Sequence, residues 1–318
     1  MSKVYDRIID CMFRTDRLKT CNWLFLRIKM PIELTNKRVI GELLKKYDAK
    51  PEKYLGQHFI LSKKALVSMI EAAEIKKNDT IIEIGPGLGT LTQKLAKTGA
   101  KIIAIEKDLL MNEILKKTLT GYKNVKIIRA DARQLLIYEI NSFGDKLGIN
   151  SGKNGYKIVA NLPYNIATFL IRQWLESEKP PKMMVLMIQK EVARRIVAKP
   201  PHSNLLGVST RFYANAEIID YIKKESFWPK PKVDAAIIKI IPRKEPSAIS
   251  RGTFFKVLKA GFSQPRKQLL GNLSKKLNLS REELVLIFRN LDISEKARAE
   301  NLNLDEWQGL ASELIPRP

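Results

Sequence analysis

Short apolar, β-branched runs alternate with stretches of helical periodicity over most of this chain. The runs cover residues 80–84, 101–105, 125–128, 157–160, 183–188 and 233–241. Alternation of this kind predicts an α/β fold, a mainly parallel sheet with helices on both faces. Ahead of the first run, Val39, Ile40, Leu43, Leu44 and Tyr47 recur at helical spacing behind Thr35, which reads as the N-cap. A second helix follows Ser62, carrying Leu66, Val67, Met69 and Ile70. Residues 140–156 are rich in Gly, Asn and Ser without periodicity and read as a surface loop; residues 242–252 read as a linker. Beyond it, Ser280 with Glu283 and Asn303 with Glu306 are spaced as capping boxes, which predicts a small all-helical C-terminal domain. The expected division is an unpatterned extension over 1–29, an α/β domain over 30–245 and a helical domain over 246–318.

Charge changes the picture next. The 318 residues hold 57 Lys and Arg against 33 Asp and Glu, a formal net charge of +24. A phosphate-bearing partner is the simplest reason for such self-repulsion, so nucleic acid is the expected partner. No apolar run approaches the ~18 residues of a membrane span, and the start lacks the order of a signal peptide. Cys11 and Cys21 lack metal-ligand spacing, and His58 and His202 are the two histidines, so neither a disulfide framework nor a metal centre is expected. A cytoplasmic monomer without a metal is the resulting expectation. The first 29 residues hold seven Lys and Arg but also Asp6, Asp10 and Asp16, which argues against a targeting peptide and fits an extension or an over-long gene start.

The first strand ends in Glu83-Ile84-Gly85-Pro86-Gly87-Leu88-Gly89, with a helical stretch from Thr90. Glycines at a strand-to-helix turn permit positive φ and close approach of a ligand to the backbone. Gly85, Gly87 and Gly89 match GxGxG rather than the GxGxxG of dinucleotide binders. That spacing favours S-adenosylmethionine, which has no pyrophosphate to seat on the helix terminus. Glu106 follows the second strand, 21 positions after Gly85, where a carboxylate can accept ribose hydroxyls; Asp131 follows the third, where it can accept from an adenine amine. Either acid alone could merely cap a helix, but in this order they converge at the sheet edge where ligands bind.

After the fourth strand comes Asn161-Leu162-Pro163-Tyr164. An adenine amine is a weak nucleophile because its lone pair is delocalised into the ring. Acceptors on its two hydrogens, the Asn161 side-chain oxygen and the Leu162 carbonyl, would draw that pair back, with Pro163 fixing the bend. Tyr164 offers a flat face for a flipped base. No strong base is needed. Further on, Phe227 could close the opposite face of the adenine, with Lys230 and Lys232 near phosphates, although composition alone offers a core-packing Phe227 almost equally. In the last domain Arg266, Lys267, Lys275 and Lys276 form a basic cluster suited to RNA backbone, although a solvated helix face is the default for such charges.

Taken in order, these pieces resemble the bacterial and organellar small-subunit ribosomal RNA adenine dimethyltransferases, the kasugamycin-resistance family. The likeness runs over about residues 33 to 315. It rests on YLGQHFI from Tyr54, EIGPGLGTLT from Glu83, IEKD from Ile105, ADA from Ala130, NLPYNI from Asn161, QKEVARRI from Gln189, FWPKPKVDAA from Phe227 and RAENL from Arg298. It implies a Rossmann-like class I methyltransferase sheet and two methyl transfers onto each of two adjacent adenosines in a hairpin near the 3′ end of small-subunit RNA. The substrate it implies is that RNA or an immature small subunit. Implied cofactor contacts are His58, Ile60, Gly85, Glu106, Asp131 and Asn161. The chain departs from the family at His58, commonly Asn, where a neutral side chain is expected still to hydrogen-bond the cofactor and protonation could make its affinity pH-sensitive, and at Pro265, usually Arg, which leaves the RNA grip of that domain less secure. Alternatives are the related large-subunit enzymes of macrolide resistance, a non-catalytic assembly factor on the same fold, and an oxidoreductase that the glycine spacing opposes.

Overall fold

A computed structural model describes residues 32–52, 56–134, 155–243 and 249–314. The extension over 1–29, both cysteines and most of the expected loop at 140–156 lie outside them.

Among the described residues seven strands form one sheet: β2 (Thr80–Ile84), β3 (Lys101–Glu106), β4 (Val125–Arg129), β5 (Lys157–Asn161), β6 (Met183–Gln189), β7 (Ala214–Ile222) and β9 (Ala235–Pro242). The order is β4-β3-β2-β5-β6-β9-β7. Neighbours from β4 to β6 are parallel, and β9 runs antiparallel to both β6 and β7, so β7 points the same way as β5 and β6. β2, β5 and β6 are buried almost throughout, as expected for parallel strands covered on both faces. One core lies against Ile82, Ile158 and Leu186 with helix α5 (Ala167–Glu176); the other lies against Ile81, Val159 and Val185 with helix α2 (Lys63–Ala72). Strand order reverses between β2 and β5, the switch point where such sheets open a crevice beyond their carboxyl ends.

Three strands escaped the pattern of the sequence. β1 (Phe59–Ile60) and β8 (Phe227–Trp228) form a separate two-stranded pair. β7 alternates exposed and half-buried positions and carries a register shift between Ile218 and Asp220, as an edge strand does. The expected strand at 233–241 starts two residues later, and the expected linker at 242–252 overlaps β9 and helix α8 (Arg251–Gly261), with 244–248 outside the described residues. The first helix, α1 (Lys37–Lys46), is capped by Asn36, which accepts from the Arg38 N–H at 2.9 Å. The expected cap, Thr35, instead donates its hydroxyl to Glu33. The Asn36 side chain, one residue closer and with its oxygen one bond farther from the backbone than a Thr hydroxyl, reaches the helix donors.

Helices α8, α9 (Leu269–Leu277), α10 (Arg281–Asn290) and α11 (Leu304–Leu314) enclose a third core around Phe254, Leu273, Phe288 and Trp307. Both expected capping boxes form: Ser280 and Glu283 exchange bonds of 3.1 and 3.0 Å, Asn303 and Glu306 bonds of 3.0 and 2.6 Å. Val208 and Phe212 of α7 (Leu205–Tyr213) belong to the same core, and the Ser203 N–H donates to the Glu300 carbonyl at 3.0 Å. The RAENL stretch therefore ties the C-terminal helices to the sheet domain.

Candidate active site

A cleft of about 220 Å³ opens over the carboxyl ends of β2, β3 and β5. The turn after β2 enters it through three consecutive alternate glycines with positive φ, Gly85, Gly87 and Gly89. Gly89 sits at φ 91° as the N-cap of α3 (Thr90–Ala96), and a Cβ there would lie 2.9 Å from Leu115 Cδ1. Glycine is required there by backbone angle and by space.

Glu106, at the end of β3, is buried with both oxygens engaged. Oε2 accepts from the Gly87 N–H at 3.0 Å and Oε1 from the Asp108 N–H at 2.9 Å. The buried Asn112 amide locks the same turn by donating to the Glu106 and Asp108 carbonyls at 3.0 and 2.7 Å. Burial, and secondarily the Asp108 charge, raise the Glu106 carboxyl above its ordinary range despite the two N–H donors.

Asp131 lies across the cleft and carries two cations, Arg133 at 2.7 Å and Lys107 at 3.0 Å. Arg133 foremost holds its carboxyl well below the usual carboxylate range. An ionised carboxylate has about four lone-pair sites, and the Arg133 N–H, Nε and Nη2 with the Lys107 ammonium already fill them, so an amine donor would take the place of one of these. Glu83, unremarked in the sequence beyond its place in a motif, also lines the cleft. It is 2% exposed, and its Oε2 is buried without a hydrogen-bond partner. Burial foremost, reinforced by Glu106, pushes its carboxyl up to about 8. The signal was there: a lone acid inside the otherwise apolar strand Thr80–Ile84.

Asn161 ends β5 at the rim. Its side-chain nitrogen donates to the His58 carbonyl at 3.2 Å, which leaves the acceptor end, Oδ1, for a ligand. Leu162 anchors the loop behind it, with a buried side chain and an N–H that donates to the Met187 carbonyl at 3.1 Å. Pro163 lines the cleft. The Tyr164 ring lies 5.9 Å from the His58 ring; burial, then the charge of Asp234, push its phenol up to about 12.

The β1–β8 pair closes one side of the cleft. Ile60 faces Phe227 and Phe59 faces Trp228, while His58 Nδ1 donates to the Pro229 carbonyl at 2.6 Å. His58, Phe59 and Ile60 all line the cleft, as do Gln57, Lys107 and Arg133, which the sequence did not single out. The structure does not bring Phe227 there. Its ring is 3% exposed in the core with Ile60 and Ile222, because in a two-residue strand beside β1 its side chain takes the inward face. Lys230 is exposed and paired with Glu225 at 2.6 Å; Lys232 is exposed. Arg266 and Lys267 stand exposed on the turn between α8 and α9, away from the cleft lining. Buried Asn272 braces that turn, donating to the Gly261 and Gln264 carbonyls at 2.7 and 3.0 Å.

Among the described residues, no group of three or more His, Cys, Asp or Glu is arranged to hold a metal, and no helix is long and apolar enough to cross a membrane.

Comparison with known proteins agrees with this geometry. A family model described as ribosomal RNA adenine dimethylase matches residues 49–315. Ribosomal RNA small subunit methyltransferase A of Dehalococcoides mccartyi is 39% identical over 279 residues, covering 87% of this chain and 93% of that protein. The same-named protein of Clostridium botulinum is 38% identical over 274 residues, covering 85% and 96%. Among solved structures, a dimethyladenosine transferase from Plasmodium falciparum superposes with a TM-score of 0.66 at 27% identity, covering 80% of this chain and 96% of that one. The 23S rRNA methyltransferase ErmE, 22% identical, shares the fold with a TM-score of 0.64 over 80% of this chain and 99% of its own. The chain belongs to the ribosomal RNA adenine dimethylase family.

Proposed function

We propose that this protein transfers methyl groups from S-adenosylmethionine to the exocyclic amines of two adjacent adenosines in a hairpin near the 3′ end of small-subunit ribosomal RNA, dimethylating each. The observation that carries the chemistry is the tethering of Asn161: a side-chain amide held at its nitrogen by the His58 carbonyl offers its oxygen at the rim of an acid-lined cleft.

The cleft suits the cofactor. Glu106 and Asp131 line it beside the protonated Glu83, and S-adenosylmethionine carries an ammonium and a sulfonium, charges that carboxylates complement. Glu106, fixed by two backbone N–H groups, would take the ribose hydroxyls; Asp131 would take the adenine amine; His58, Ile60 and Gly85 would form the walls. Bound there, the cofactor supplies an electrophilic methyl group.

The chain's own contribution is to make a poor nucleophile usable. Asn161 Oδ1 and the Leu162 carbonyl accept the two amine hydrogens of the target, which returns lone-pair density to nitrogen and points it along one line. Preorganised acceptors do this without reorganising during the reaction. Pro163 holds the bend, and the Tyr164 face receives the flipped base. The methylated, cationic nitrogen then loses one proton to water; one amine hydrogen remains, and one acceptor suffices to orient the second transfer.

Phosphate contacts come from the basic surface. Arg266 and Lys267, on the turn braced by Asn272, and Lys230 and Lys232, beside the cleft, are positioned for backbone rather than base contact. In this reading residues 246–318 form an RNA-binding domain, the substrate is small-subunit RNA or an immature small subunit, and the enzyme works as a cytoplasmic monomer in ribosome biogenesis. Expression in a bacterial host lacking its own adenine dimethyltransferase tests the reading. Dimethyladenosine in the small-subunit RNA is expected; its absence despite folded, expressed protein would overturn it.

A further inference from the structure

Beside the catalytic loop lies a surface feature that the cleft chemistry does not use. Tyr221, at the end of edge strand β7, is 48% exposed. Two cations lie over its ring: Lys190 Nζ at 5.4 Å and the Arg194 guanidinium at 5.7 Å from the centroid. Both cations come from α6 (Lys190–Val197), one turn apart on the same face. An edge strand usually protects itself with charge, and a large aromatic ring left open there stands out.

Position gives the ring its meaning. Because β7 runs parallel to β5 and β6, Tyr221 stands on the same edge of the sheet as Asn161. Three inter-strand spacings separate β5 from β7, about 15 Å. Asp234 connects the two places: it accepts from the Lys224 N–H at 3.1 Å, pairs with Lys190 at 3.5 Å, and its charge reaches the Tyr164 phenol. Residues 190–195 and 220–234, the segments that carry the ring and its two cations, contain seven Lys and Arg against four Asp and Glu.

We propose that Tyr221, with Lys190 and Arg194, is a stacking platform for an unpaired nucleotide of the RNA substrate that flanks the adenosine held at Tyr164. This rests on the reading of the substrate as RNA. A half-exposed ring with two cations of one helix over it fits one base on the surface it leaves open, with the adjoining phosphates on the ammonium and guanidinium, the combination by which single strands are gripped without sequence readout. Such a contact acts on binding and register and leaves the chemical step alone.

The test uses the full chain, the cofactor and small-subunit RNA, comparing wild type with Tyr221→Leu and Tyr221→Phe. Tyr221→Leu should raise the KM for RNA about 5- to 150-fold, the value of one stacked base, with kcat nearly unchanged. Tyr221→Phe keeps the ring and should stay near wild type. Lys190→Gln and Arg194→Gln should each lower the slope of log affinity against log salt. An unchanged KM for a folded Tyr221→Leu protein that turns over would overturn the platform alone, as would a Phe variant as weak as the Leu variant. A wild-type protein that never methylates RNA would overturn the functional reading together with the platform.

Discussion

The Asn161 side chain donates to the His58 carbonyl across 3.2 Å, joining residues 103 positions apart and fixing which end of the amide meets the ligand. Replacement by alanine removes that acceptor and leaves the basic surface intact. Asn161→Ala should lower kcat about 100-fold or more, while the Kd for RNA changes little because phosphate contacts supply most of the affinity. Steady-state kinetics beside a filter-binding isotherm would separate the two, and equal losses in both would break this division of labour.

Glu83 makes stability depend on pH in a defined direction. Its carboxyl is pushed up to about 8 from an ordinary 4.5. Between those values the folded chain keeps a proton that the unfolded chain has released. The stability this confers is fully present below the lower value and is lost as pH rises through the upper one. Glu83→Gln cannot ionise, so its thermal stability should fall less than that of wild type between about pH 5 and pH 9. Parallel melting curves across that window would show that the buried carboxyl is not the source.

Gly89 combines φ 91° with a Cβ position 2.9 Å from Leu115 Cδ1. Gly89→Ala should cost about 1–3 kcal/mol of folding stability in denaturant titrations. A loss below about 0.5 kcal/mol, the scale of an ordinary surface change, would mean that the turn relaxes freely.

Arg266 and Lys267 are exposed on the turn that Asn272 braces. If both meet phosphates, the double alanine variant should weaken RNA binding regardless of sequence and reduce the salt slope by about 0.7–0.9 per contact. Binding isotherms at several salt concentrations would measure it; an unaltered slope would return these side chains to solvent.

The parallel half of the sheet was readable because its strands are buried on both faces and so appear as unbroken apolar runs. Edge strand β7 was not, since Glu217, Asp220 and Tyr221 interrupt it where one side faces water. Motif order placed Glu106, Asp131 and Asn161 along one edge, but local sequence carries no sign of long-range contacts. Nothing near Asp131 announces that Lys107 and Arg133 share it, and nothing near His58 announces Pro229. Phe227 was misplaced for the same reason. Its motif suggested a ligand, whereas its pairing opposite Ile60, settled by a strand far away in the chain, turns it into the core.

The most direct measurement is transfer of labelled methyl from S-adenosylmethionine to unmethylated small subunits, large subunits and naked RNA, each followed by nucleoside analysis. Dimethyladenosine in small-subunit RNA, absent with Asn161→Ala, is the expected result. Label confined to large-subunit RNA, or none in any substrate despite cofactor binding, would contradict the account.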